Sequence, residues 1–197
     1  MVSGATPSRT TNYLMQQLEA VDRVTATHSF AVAELVWRLC AEIGFGGGYG
    51  WLYEAGLLHD IGKMYIPRSV LMSRKVFTPA ERRAMEAHVT YTGQILKYYR
   101  YHPAIIEACE QHHERLDGSG YPRGLTGEGL SAGGRLIAVA DVFSALVSPR
   151  PYRGALPVRK ALDIVMEEAY KGKLDAEIAG YLLKVIANQK FDLIRSF

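Results

Sequence analysis

The chain has 197 residues, of which 48% are hydrophobic and 22% are charged, and its net charge is +3. This composition is typical of one globular domain, and the charge is too small to indicate binding to a nucleic-acid polymer. No apolar run reaches the roughly 20 residues that a transmembrane helix needs, and the N-terminus lacks a signal-peptide pattern. We therefore expect a cytoplasmic protein without a membrane contact, whose two cysteines are reduced thiols of the core.

The apolar periodicity is helical almost throughout the chain. Residues 1–17 are small or polar at the start and are predicted to form an N-terminal linker or tail, with one domain over residues 18–197. The stretch at residues 114–130 is rich in glycine and has no periodicity, so it is predicted to be an ordered loop. Helices are expected over residues 25–43, 50–62, 78–99 and 103–113, from Ser131 to residue 147, and after Pro157 and Asp175. The sequence thus predicts an all-α bundle of about six to eight helices with one long glycine-rich loop.

Histidine and aspartate side chains lie on the apolar faces of these predicted helices. Asp141, for example, follows the apolar run 136–140, where an unpaired carboxylate would be costly to bury. A single histidine in such a place is more often a hydrogen-bonded core residue. Several of them converging on one core are better explained by a pair of divalent metal ions, because imidazole and carboxylate suit Fe, Mn, Zn, Co or Ni. The predicted ligands are His28, His59, Asp60, His88, His112, His113 and Asp141. His102 is left out, since it precedes Pro103 in a loop-like stretch.

The order of these residues resembles the HD-GYP family. The matching segments are His59-Asp60-Ile61-Gly62-Lys63, the run HHERLDGSGYP at residues 112–122, and RPYR at residues 150–153. The resemblance implies an HD-domain helical bundle with a long GYP loop. It also implies a bacterial phosphodiesterase that hydrolyses cyclic di-GMP to linear pGpG, GMP or both, through a metal-activated water.

The resemblance further implies the roles of individual residues. One ion would be held by His28, His59, Asp60 and Asp141, and a second by Asp60, His88, His112 and His113; we expect iron or manganese, with zinc, nickel and cobalt as alternatives. Asp60 and Lys63 would be catalytic, with Lys63 near the scissile phosphate. Structural roles remain as alternatives to these functional ones. Lys63 would then be a helix-end lysine, Arg150 and Arg153 exposed loop residues, and Tyr121 a packing residue. The implied substrate-binding residues are Lys63, Gly120, Tyr121, Arg150 and Arg153.

Two positions depart from the family pattern. Val24 occupies the place where one branch of the family carries a glutamate that holds a third metal, so two ions are expected. Ser144 stands where family members usually carry aspartate, and the absence of that carboxylate could loosen a metal ligand. Three alternatives remain: a degenerate module that binds cyclic di-GMP or a GGDEF domain without turnover, an enzyme for another cyclic dinucleotide such as cyclic GMP-AMP, and a purely structural helical bundle. A GGDEF domain could bind through the GYP loop, and a homodimer is a further expected partner arrangement.

Overall fold

A computed structural model describes residues 6–45, 48–149 and 154–188 of the chain. These residues form ten α-helices and two short 3-10 helices, and the described part contains no β-strand, as the all-α prediction requires. None of the helices described is both long and apolar enough to cross a membrane. The α-helices are α1 Arg9–Val21, α2 Arg23–Ile43, α3 Gly50–Leu58, α4 Arg68–Leu71, α5 Pro79–Glu86, α6 His88–Tyr98, α7 Pro103–Gln111, α8 Ala132–Val147, α9 Val158–Tyr170 and α10 Ala176–Asn188. The 3-10 helices are Ile61–Tyr65 and Gly127–Gly129.

The first helix lies where the sequence predicted a linker. Ser8 caps α1 by accepting a hydrogen bond from the backbone N–H of Thr11, and Leu14, Met15 and Leu18 are buried. Residues 9–17 are therefore part of the folded bundle, and the predicted boundary at residue 18 differs from the structure here. Threonine, asparagine and glutamine separate the few apolar residues of α1, so its sequence resembles that of a polar tail.

Helix α2 is the central element of the bundle and packs against α1, α3, α8 and α10. It ends as predicted at Gly44, whose positive φ of 76° is a left-handed conformation that favours glycine. Its buried face carries His28 together with Val32, Leu35 and Leu39. The first predicted ligand is therefore held inside the bundle by the same stripe that forms the core.

Two predicted helices are shorter in the structure than in the sequence analysis. The predicted helix 50–62 ends at Leu58, and a 3-10 helix follows the His59–Asp60 pair. The predicted helix 78–99 is divided at Ala87 into α5 and α6, and Thr78 and Glu81 form a capping box at its start. The division at Ala87, together with α1 and the short α4, raises the number of α-helices above six to eight, whereas the break after Leu58 adds a 3-10 helix. Both breaks lie beside predicted ligands.

Thr92 of α6 fixes the turn that carries the His59–Asp60 pair. Its hydroxyl donates to the carbonyl oxygen of His59 at 3.1 Å and accepts from the N–H of Gly62 at 2.9 Å. A Cβ on Gly62 would lie 2.5 Å from the backbone nitrogen of Thr92, so only glycine permits this approach. The sharp end of α3 is therefore locked to α6.

Candidate metal centre

The seven predicted ligands come together at one place in the bundle. His28 and Asp141 project from within α2 and α8, whereas the others lie at helix ends: His59 and Asp60 after α3, His88 at the start of α6, and His112 and His113 after α7. Six of the seven are buried, and His113 is partly buried. The end of α3 at Leu58 and the division at Ala87 therefore help to position the ligands, because His59, Asp60 and His88 lie directly at these breaks.

Asp60 lies between two groups of histidines. Its Oδ1 is 3.2 Å from Nε2 of His88 and 3.8 Å from Nε2 of His112, while its Oδ2 is 3.3 Å from Nε2 of His59. Two sets of side chains have ligand atoms within 4.8 Å of one another, and Asp60 belongs to both. The sets are Asp60, His88, His112 and His113, and His28, His59 and Asp60.

Asp141 faces the same cluster from α8. Its Oδ1 is 2.8 Å from Nε2 of His28 and 3.9 Å from Nε2 of His59. Its Oδ2 is 3.9 Å from Nδ1 of His113. Asp141 therefore stands at the set that contains His28 and His59.

Three of the histidines have their outer ring nitrogen bound to a backbone carbonyl. In each of them the carbonyl belongs to the residue three positions earlier, and it can only accept, so the Nδ1 atom carries the proton. The Nε2 lone pair is then free to bind a cation. The pairs are His59 with Gly56 at 2.8 Å, His88 with Met85 at 2.6 Å and His112 with Cys109 at 2.6 Å.

The electrostatic environment keeps two of the imidazoles neutral. Burial, followed by the effect of the nearby His59, lowers the pKa of His112 to about 3. Burial, followed by the effect of His112, holds the pKa of His113 well below its usual value. Burial would also lower the pKa of His59, but the charge of Asp60 outweighs it and the pKa is raised.

Both aspartates are held in the ionised form. Burial raises the pKa of Asp60, but the charges of Lys63 and His59 overcome that effect and leave the pKa well below its usual value. For Asp141, burial is overcome by the hydrogen bond and charge of His28, so its pKa is also well below the ordinary range. Ionised carboxylates beside neutral imidazoles are the protonation states that divalent metal binding requires.

The donor atoms of this cluster fit a divalent cation. Among the described residues, Nε2 of His59 and Oδ1 of Asp60 are buried atoms without a hydrogen-bond partner. Nε2 of His59 and Nε2 of His88 lie 3.3 and 3.2 Å from the two oxygens of Asp60. Leaving a buried polar group unpaired costs about 1–3 kcal/mol, and a bound cation would satisfy both sides of each contact.

Lys63 is bound to the cluster. Its Nζ donates to Oδ2 of Asp60 at 2.6 Å, and its side chain is only 13% exposed. The 3-10 helix Ile61–Tyr65 turns Lys63 back toward Asp60, three residues earlier. Lys63 lies in the last turn of this 3-10 helix, as the helix-end alternative has it, and it contacts Asp60 as well.

The glycine-rich loop packs against the histidine pair. Gly120 approaches the backbone of His113 and Glu114 so closely that a Cβ would lie 2.5 Å from the His113 carbonyl oxygen. The ring of Tyr121 stacks on that of His113 with centroids 4.7 Å apart. Glu114, which the sequence analysis did not single out, is fully buried and accepts hydrogen bonds from the backbone N–H groups of Arg123 and Leu125. Its position directly after the histidine pair was the available signal.

A cleft of about 470 Å³ opens onto the cluster. Lys63 and Arg115 are the cationic side chains among its described lining residues, and Tyr121 and Val24 also line it. Arg115, which the sequence analysis did not propose, is anchored by Nη1 to the carbonyl oxygens of Glu114 at 2.8 Å and His112 at 3.3 Å. The two predicted phosphate-binding arginines, Arg150 and Arg153, lie outside the described residues. The unassigned His102 is exposed and caps α7, away from the cluster.

Comparison with known proteins agrees with this architecture. The family model described as HD domain matches residues 12–178. A 3'3'-cGAMP-specific phosphodiesterase 1 of Vibrio cholerae is 36% identical over 168 residues, covering 85% of this chain and 39% of the relative. A cyclic di-GMP phosphodiesterase of Thermotoga maritima is 37% identical over 170 residues, covering 83% of this chain and 45% of the relative. The chain thus spans less than half the length of these two relatives. Among solved structures, the HDG"Y"P protein Bd1817 from Bdellovibrio bacteriovorus has a TM-score of 0.69 at 20% identity, covering 91% of this chain and 60% of that one, which shows the shared fold.

Proposed function

The chain belongs to the HD domain family and carries the HD-GYP motif, and from this premise we propose that it hydrolyses a cyclic dinucleotide at a two-metal site. The observation that carries the proposal is the position of Asp60. Its two carboxylate oxygens face different histidines at 3.2 and 3.3 Å, as a bridging ligand would. We assign His28, His59, Asp60 and Asp141 to one ion and Asp60, His88, His112 and His113 to the other.

Two divalent ions, when bound, supply a water nucleophile of lowered pKa and neutralise charge on the phosphate. The protein's own part is to hold the ligands in the correct protonation state. The Nδ1–carbonyl bonds of His59, His88 and His112 do this for three imidazoles. Iron or manganese is the proposed metal, because imidazole and carboxylate ligands suit both.

Lys63 and Arg115 give the cleft positive charge beside the ligands. Lys63 contacts Asp60 and lies within reach of a phosphate bound to the same cluster, so it would stabilise the negative charge that grows in the transition state. Arg115 is fixed by two backbone carbonyls, and its remaining N–H groups are available for the second phosphodiester of a cyclic dinucleotide. Tyr121, stacked on His113, forms a wall of the same cleft.

Cyclic di-GMP is the first proposed substrate. A second candidate, 3'3'-cyclic GMP-AMP, is favoured by the relatives of that specificity, at 36% and 39% identity. Both molecules carry two phosphodiesters in one ring, so the metal cluster and the side chains of Lys63 and Arg115 would bind the phosphates of either one. The choice between them lies in the contacts to the bases.

The proposal is tested by incubating protein loaded anaerobically with Fe²⁺ or Mn²⁺ with each dinucleotide and separating the products. We expect a linear dinucleotide from at least one substrate, and its loss in Asp60→Asn. His102→Ala is the matched control, because this exposed histidine lies outside the cluster and its replacement should preserve turnover. Binding of a dinucleotide without any linear product would refute the hydrolase and favour the degenerate binding module.

A further inference from the structure

Ser144 contacts the histidine that α2 contributes to the cluster. It lies one turn after Asp141 on α8 and is only 3% exposed. Its Oγ is 3.1 Å from Nδ1 of His28, while Oδ1 of Asp141 is 2.8 Å from Nε2 of the same ring. Helix α8 therefore contacts both ring nitrogens of His28.

The bond to Ser144 differs in kind from the bonds that hold His59, His88 and His112. A backbone carbonyl only accepts, so it fixes the proton on Nδ1, whereas a hydroxyl both donates and accepts. The carboxylate of Asp141 also only accepts, so its 2.8 Å contact requires a proton on Nε2 of His28. In the structure, Ser144 can donate to Nδ1, and His28 then carries its proton on the nitrogen that a metal would need.

We infer that Ser144 lets His28 change tautomer and that the ion held by His28, His59 and Asp141 is consequently the weaker-bound of the two. To bind that ion, Nε2 must release its proton to solvent and Nδ1 must take one up from solvent, after which the Nδ1–H group donates a hydrogen bond to Ser144 Oγ. The bond between His28 and Asp141 must also break. At His88 and His112 no change of tautomer is needed, because backbone carbonyls already hold the proton on Nδ1 and the two Nε2 atoms lie 3.5 Å apart within the cluster.

This inference rests on the two-metal assignment of the proposed function and adds an order of loading to it. The set containing His88 and His112 fills first, and the set containing His28 fills at higher metal concentration. Because a carboxylate only accepts hydrogen bonds, aspartate at position 144 would hold the proton on Nδ1 of His28. Ser144 is thus a positioning residue that acts on metal affinity through His28.

The test is calorimetric titration of the metal-free protein with Mn²⁺, without nucleotide. For the unaltered chain we expect two binding events whose dissociation constants differ by about tenfold or more, the scale on which hydrogen-bond partners of metal ligands act. Ser144→Asp should tighten the weaker event by about tenfold, and Ser144→Ala should weaken it by a similar factor. Ser144→Thr, which keeps the hydroxyl, should leave the dissociation constant of the weaker event close to that of the unaltered chain. In all three variants the tighter event should stay unchanged.

Ser148→Ala is the matched control. Ser148 follows one turn later at the end of α8 and is also buried. Its hydroxyl has no hydrogen-bond partner within the described ranges, so its removal should leave both constants unchanged. His28→Ala gives a second test that does not depend on how well residue 144 tolerates a larger side chain. This variant should lose the weaker event and retain the tighter one.

Two equal binding events in the unaltered chain would overturn the inference, and so would loss of the tighter event in His28→Ala. An unchanged weaker constant in Ser144→Asp would also overturn it, provided that far-UV circular dichroism shows a folded protein. Unequal binding events without hydrolysis of any dinucleotide would refute the proposed function alone. Hydrolysis with equal events would refute this inference alone.

Discussion

Glu114→Gln tests whether one buried carboxylate fastens the GYP loop. Glu114 is fully buried, and its two oxygens accept from the backbone N–H groups of Arg123 at 2.7 Å and Leu125 at 2.9 Å. Glutamine keeps the shape but offers one acceptor oxygen, so its amide group would face one of the two N–H donors. The variant therefore loses one hydrogen bond and leaves one donor unpaired.

The size of the effect follows from these two contacts. A hydrogen bond to a charged group contributes about 1.5–3 kcal/mol, and an unpaired buried donor costs about 1–3 kcal/mol. We expect Glu114→Gln to lower the free energy of unfolding by about 3 kcal/mol, a large part of the roughly 5–15 kcal/mol that stabilises a typical domain. Urea unfolding followed by far-UV circular dichroism measures this change.

The control is Glu128→Gln, which alters an exposed glutamate of the same loop. Its effect should stay within about 0.5 kcal/mol, as is usual for surface substitutions. Amide hydrogen exchange adds a local measurement, because the N–H groups of Arg123 and Leu125 should lose protection only in Glu114→Gln. A loss below about 1 kcal/mol with both amides still protected would show that the loop is held by other contacts.

Four further results are expected. In Gly120→Ala, the new Cβ would meet the His113 carbonyl oxygen at 2.5 Å, so thermal unfolding should shift down by several degrees, about 2–4 °C for each kcal/mol lost. Arg115→Ala should raise KM for the dinucleotide by about tenfold with kcat nearly unchanged, because it removes one phosphate contact. Lys63→Met keeps the side-chain stem but removes the charge beside Asp60, and kcat should fall by about 100-fold in a product-release assay. Chelation of the metals should lower Tm in scanning calorimetry, since an ion present at 100 times its Kd stabilises the fold by about 2.7 kcal/mol.

Each of these four has a contradicting outcome. An unshifted Tm in Gly120→Ala would mean that the loop moves aside without cost, and a changed kcat with constant KM would place Arg115 at the reacting phosphate. If Lys63→Met turned over normally, the contact with Asp60 would be structural only. A Tm insensitive to chelation, with metal release verified by elemental analysis, would show that the cluster folds equally well without cations.

The helices and their ends follow largely from local sequence. The capping residues Thr78, Ser131 and Asp175 and the glycine at position 44 act on neighbouring backbone groups, and the structure has these helix ends as predicted. The end of α3 at Leu58 and the division at Ala87 were not predicted. The end of α3 is fixed by contacts of α6 with the 3-10 helix Ile61–Tyr65 and the pair before it, such as those of Thr92 with His59 and Gly62, which periodicity along one helix does not encode.

The candidate site also has features that the sequence predicted and features that only the tertiary structure shows. The residue types and their order were sufficient to name all seven side chains that the structure brings together, because a carboxylate or imidazole on an apolar helix face needs a partner. Only the tertiary structure shows the orientation of Asp60, the burial of Glu114, the place of Arg115 in the cleft and the contact of Ser144 with His28. The last pair is 116 residues apart in sequence. Which ring nitrogen of a histidine carries a proton is decided by the atom packed against it. For His28 the neighbouring atoms belong to another helix, so helix packing determines them.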